Sequence, residues 1–75
     1  MKELLEFIAK SMVDNPDAVS VNVKDGEHST TLELKVGEGD MGKVIGKQGR
    51  IAKAIRAVVS AAAARENKKY YVEIV

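Results

Sequence analysis

Two hydrophobic periods divide this 75-residue chain, and its elements change where the period changes. Leu4, Leu5, Ile8, Ala9 and Met12 recur at helical spacing, with Lys2, Glu3, Glu6 and Lys10 off that stripe and Phe7 at its margin as a packing residue. The helix should stop near Asp14-Asn15, because Pro16 disfavours helical backbone at the residue before it. Val19, Val21 and Val23 then alternate with polar residues as in a half-buried strand. Asp25-Gly26 supplies a hairpin turn, and Thr30, Leu32, Leu34 and Val36 alternate on the return. From Arg50 to about Arg65 the set Ile51, Ile55, Val58, Val59 and Ala62 predicts the longest helix, with Lys53, Arg56 and Ser60 opposite. Ala62 should pack on the sheet, and Ala63, off that stripe, should be exposed. Asn67 is the expected helix stop, and Tyr70, Val72 and Ile74 alternate in a last strand.

A strand, two helices and a strand in succession normally form a right-handed crossover with parallel ends. The last strand should therefore lie parallel to residues 29–36 and make that strand central. The expected fold is α+β in the order α-β-β-α-α-β, a single domain over residues 1–75. Its three-stranded mixed sheet would be covered on one face by three helices.

Composition narrows the chemistry. With 45% hydrophobic and 31% charged residues the chain reads as globular. It has no cysteine, which excludes disulfides and thiolate metal sites. Charged residues in the first dozen positions exclude the apolar core of a signal peptide, and no run approaches a membrane span, so a cytoplasmic protein is expected. Net charge is only +1, but residues 41–56 hold Lys43, Lys47, Arg50, Lys53 and Arg56 with no acid. The rest carries 7 basic and 11 acidic residues. A positive band on an acidic body is the footprint of a polyanion site, against the plainer alternative of a solvated helix face. His28, the only histidine, lies near the hairpin tip without a second ligand beside it and reads as a solvated turn residue. No nucleophile–base pair, carboxylate pair or metal cluster stands near the band, so neither an enzyme nor a cofactor is expected.

Two nucleotide-binding patterns fail on inspection. Gly37-Glu38-Gly39-Asp40-Met41-Gly42 spells a dinucleotide fingerprint, but nothing between Met41 and Arg65 is acidic and the next helix is interrupted at Gly46. Asp40 reads better as the N-cap of a short helix. Gly42 is one residue too close to Gly46-Lys47 for a P-loop, and Gln48 stands where its Ser or Thr would be.

The stretch Val44-Ile45-Gly46-Lys47-Gln48-Gly49-Arg50-Ile51 reads as two short helices meeting at a tight turn. Its glycines permit close approaches that a Cβ forbids, and the start of the second helix offers backbone N–H groups to a phosphate. This stretch resembles the signature of the KH domain, whose GXXG loop clamps about four nucleotides. The resemblance extends from Gly42 to Arg56, and the element order matches the type II KH fold. Size and order together resemble the small stand-alone KH proteins of bacteria, the KhpA family.

The resemblance implies a single-stranded RNA partner in a narrow groove, with the GXXG loop and its helices on one wall and strand residues on the other. Gly46, Lys47, Gln48 and Gly49 would hold phosphates. Ile45 and Ile51 would support an apolar floor, and Lys43, Arg50 and Lys53 would extend the basic wall. Asp25 to Ser29 and Arg65 to Lys69 both remain open as the loop closing the groove. The family further implies an RNA chaperone or post-transcriptional regulator, linked to cell shape and cell-wall control, working as a homodimer or with a second KH protein. Exposed small residues around Val59, Ser60 and Ala63 are the expected partner surface. The alternative is a protein-interaction module with weak RNA binding.

Overall fold

The alternating valines form a strand, in which Val21 is buried and Val23 is 40% exposed, and the strand order puts it at the sheet edge. The computed structural model describes residues 1–75 and places β1 at Ser20–Asp25, antiparallel to β2 at Thr30–Lys35. β3, Tyr70–Ile74, lies parallel to β2 on its other side, so the order is β1-β2-β3 with β2 central, as expected. The hairpin is longer than a two-residue turn. Asp25 stays in β1 opposite Thr30, whose Oγ1 donates to Asp25 Oδ1 at 3.1 Å, and Gly26 N–H donates to the Ser29 carbonyl across the loop.

Three α-helices accompany the sheet: α1 at Lys2–Lys10, α2 at Met41–Ile45 and α3 at Arg50–Arg65. Short 3-10 turns occupy Pro16–Ala18 and Lys47–Gly49. Leu5 and Ala9 of α1, Val44 of α2, and Ile55 and Val59 of α3 join Val21, Leu32, Leu34 and Val72 in one core. The first helix ends earlier than expected, at Lys10. Ser11 Oγ donates to the Phe7 carbonyl, and Met12 N–H bonds Ala9 in a tighter last turn. Phe7 is not a packing residue, being 71% exposed.

The buried stripe of α3 is rotated from the one expected. Ala52, Ile55, Val59 and Ala63 face the sheet, whereas Val58 is 49% exposed and Ala62 is half-buried. Ala52 and Ala63 are buried at the two ends of this face with Ile55 and Val59 between them. The proposed partner surface is thereby corrected. Val59 and Ala63 are 1% and 2% exposed and belong to the core, and only Ser60 of that trio is on the surface. The end of α3 is closed at Asn67, φ 57°, with Asn67 N–H donating to Ala64 and Lys68 N–H to Ala63, a Schellman cap.

Asp40 is the one buried charged residue, and it does not cap α2 with its side chain as expected. Its carboxylate accepts from the backbone N–H groups of Asp14 (3.3 Å) and Asn15 (3.1 Å), fastening the segment after α1 to the start of α2. Lys43 Nζ lies 3.5 Å from Asp40 and 3.1 Å from Asp14. Burial alone would raise the Asp40 carboxyl, but the N–H groups of Asn15 and Asp14 together with the Lys43 charge outweigh it and hold it below the usual value.

Two outcomes follow. Ala63→Asp should destabilise the domain by roughly 3–5 kcal/mol, the scale of an unpaired buried charge, out of about 4–11 kcal/mol available to a domain this size. Ser60→Asp should change stability by less than about 0.5 kcal/mol, and urea melts of the two variants compare them directly. For Asp40 the folded value is depressed, so its contribution is complete above the unfolded carboxyl value of about 3.9 and fades as pH falls through the lower folded value. Asp40→Asn should therefore melt several degrees below wild type at neutral pH, with the gap narrowing in acid. A gap that is equal at both pH values would show that the carboxylate tie is not what the substitution removes.

Candidate nucleic-acid interface

The loop between α2 and α3 has a backbone conformation that depends on its glycines. Gly46 adopts φ 75°, ψ 175°, and a Cβ there would stand 2.5 Å from Ile51 Cγ1, so the backbone rests directly on that side chain. Gln48 and Gly49 follow in the left-handed region at φ 58° and 73°. A Cβ on Gly49 would meet nothing, so its requirement is conformational only. The N–H of Gly49 returns to the Gly46 carbonyl at 3.2 Å, and that of Arg50 to the Lys47 carbonyl, so a single tight turn joins the two helices. Lys47 and Gln48 project as exposed side chains from this turn. The arrangement can hold an anionic oxygen through backbone and side chain together.

The remaining sequence-predicted residues have four different surroundings. Lys53 is exposed on the flank of α3 that faces β3. One turn on, Arg56 Nε donates to the Val72 carbonyl of β3 at 3.1 Å. Arg56, Ser60, Tyr70, Tyr71 and Val72 line a cleft of about 190 Å³ between helix and edge strand. Ile45 is 36% exposed next to the loop, and Ile51 is half-buried beneath Gly46 against the core. Lys43 is instead occupied by acids: its contacts with Asp14 first, and then Asp40, raise its proton affinity despite partial burial. Arg50 turns to the opposite flank of α3, beside an apolar groove lined by Leu4, Phe7, Ile8, Met12, Ala54 and Val58.

Arg56 belongs to the basic band of the sequence but not to the candidate site residues named above. Its spacing from Lys53, three residues, puts both on one helix face and was the available signal. The contribution of the β3 edge had no such signal, since it depends on which strand α3 packs beside.

The open face of the sheet is polar and self-paired. Glu33 accepts from Asn22 Nδ2 at 3.2 Å and pairs with Lys24 at 3.0 Å, and the Lys24 contact leads the lowering of its carboxyl. No helix is long and apolar enough to cross a membrane, and no cluster of His, Cys, Asp or Glu has the makings of a metal site.

Residues 2–74 match the family described as KhpA/KhpB, KH domain, which is a family of non-enzymatic modules. Over all 75 residues the chain is 69% identical to the RNA-binding protein KhpA of Clostridium perfringens and 67% identical to that of Clostridium acetobutylicum, covering each relative completely. Among solved structures, Aquifex aeolicus Era bound to GDP.AlF4- aligns with a TM-score of 0.64 at 21% identity, over 97% of this chain and 28% of that one, a likeness of fold. With the type II order of elements, the GXXG loop and a family match over nearly every residue, this chain belongs to the KhpA/KhpB family of KH domains.

Proposed function

We propose that this protein binds single-stranded RNA in the groove between α3 and β3, with Gly46 to Gly49 holding the phosphate backbone, as an RNA chaperone or post-transcriptional regulator of the cytoplasm. The observation that carries this reading is the tight left-handed turn through Gln48 and Gly49 with Lys47 and Gln48 exposed on it, set at one end of a flank that carries Lys53 and Arg56. The relatives' name, RNA-binding protein, agrees with it. Lys47 and Lys53 would meet phosphates, Ile45 would touch the strand, and Arg56 would stand at the middle of the groove. Lys43 would act by fixing α2 through Asp40 and Asp14, not by touching RNA.

The apolar groove favours a second role in pairing. Phe7 and Val58 leave 71% and 49% of their surface exposed, on the flank of α3 opposite Lys53 and Arg56. A second KH chain docked there would leave the RNA wall free. It would join two short sites into one assembly, where avidity can exceed either affinity by ~10²–10⁴.

Replacing Lys47 and Gln48 together by Asp should abolish RNA binding with circular dichroism and melting unchanged, since both side chains are exposed. Wild-type affinity for single strands should fall with salt at a slope near −2 to −3, about −0.7 for each of three or four phosphates. Retained affinity in the folded double variant would remove the loop from the site. For the pairing face, Val58→Asp should reduce the mass measured by light scattering to that of a monomer while the domain stays folded. A wild type that is monomeric alone and with other KH chains would end that reading.

A further inference from the structure

The phosphate loop and the apolar groove share a wall, and one side chain makes it. The groove is lined by Ile51 together with Phe7, Met12, Ala54 and Val58. A Cβ at Gly46 would find Ile51 Cγ1, Cβ and Cδ1 as its three nearest atoms, at 2.5, 2.8 and 2.8 Å, so the turn that opens the loop rests on this residue. Ile51 is half-buried and packs against the core with part of its surface. The core, the backbone of Gly46 and the open groove therefore meet on a single side chain.

Arg50 repeats the connection through the backbone. Its N–H donates to the Lys47 carbonyl and closes the turn, while its side chain borders the groove. Ile51 is β-branched, so its χ1 settles in few orientations, and turning it would carry Cγ1 and Cδ1 away from Gly46. Gly46, at φ 75° and with no side chain, follows the surface beneath it. In the unpaired chain the groove side of Ile51 is open. An occupant of the groove covers that side and selects one orientation, so less ordering of the loop is left for RNA to impose.

We propose that Ile51 is a positioning residue that couples the two sites: a second KH chain seated in the apolar groove fixes the Ile51 side chain under Gly46 and so raises the affinity of the loop for RNA phosphate. This rests on the RNA and pairing readings above and adds a link between them. It differs from avidity, which needs an RNA long enough to reach two grooves at once. The link acts on one site within one chain. Such couplings span roughly 5–150-fold in affinity, and with a single side chain as the link the low end, about fivefold, is expected. Coupling is reciprocal, so RNA held by the loop also tightens pairing.

The test uses tetrauridine, which fills a site of about four nucleotides and is too short to bridge two chains. Its affinity is measured by amide chemical shifts at protein concentrations below and above the pairing midpoint found by light scattering. Paired wild type should bind about fivefold tighter than the unpaired chain, and saturating tetrauridine should lower the pairing midpoint. Val58→Ser, which adds no charge, should show the unpaired affinity at every concentration. Ile51→Val removes Cδ1 and keeps the β-branch, so it should fold and pair, with paired and unpaired affinities within about twofold of each other. A merely structural Ile51 would lower the melting point and leave the wild-type ratio intact. Equal affinities in paired and unpaired wild type, or a ratio that survives Ile51→Val, would overturn the coupling alone. A wild type monomeric at every concentration ends the pairing reading, and tetrauridine binding that withstands Lys47→Asp with Gln48→Asp ends the RNA reading; either takes the coupling with it.

Discussion

The seating of α3 on the sheet governs everything else in this domain. Ala52, Ile55, Val59 and Ala63 make its inner face, and Leu32, Leu34 and Val72 belong to the same buried layer. Alanine is buried at both ends of that face, where a larger residue would overpack and lever the helix away. With the inner face fixed, the two flanks have no freedom. One carries Lys53, Arg56 and Ser60 toward the β3 edge, and the other carries Ala54 and Val58 toward α1.

The loop at the head of α3 depends on that seating through a single contact. Ile51 is held half-buried at the first turn, and Gly46 lies directly on it. The backbone can then reverse within four residues through Gln48 and Gly49, leaving the side chains of Lys47 and Gln48 exposed. Asp40 performs a related task on the other side of α2. Its buried carboxylate spends its acceptors on Asp14 and Asn15, and Lys43 closes the arrangement. The loop is thus braced from below by an apolar side chain and from behind by a charged tie.

Charge is sorted by this packing rather than by sequence order. Five basic residues between 41 and 56 look like one band in the chain, yet the fold gives them separate surroundings. Lys47, Lys53 and Arg56 line the route toward β3, Lys43 is absorbed by acids, and Arg50 borders an apolar face. A net charge of +1 is compatible with a polyanion groove because no acid lies between residues 41 and 56, while Glu33 on the open sheet face and Glu6 on α1 are paired elsewhere.

What the sequence determined by itself was the set of elements and the loop. The period-two valines and leucines, the helical run after Arg50 and the two glycines around Lys47-Gln48 each encode a local backbone preference, so they were legible without a fold. The parallel pairing of β3 followed too, because crossover geometry leaves little choice. Rotation of α3 about its axis was decided only in three dimensions. Val58, Val59, Ala62 and Ala63 differ by one helical step, and hydrophobicity ranks Val58 above Ala63, whereas the sheet selects Ala63 for its size. Phe7 was misread for the same reason, since an apolar side chain at a stripe's margin turns inward only if a neighbour covers it. The meeting of residues 26–30 with 67–69 was equally beyond the sequence: two loops 40 residues apart become one pocket only because β2 lies between β1 and β3.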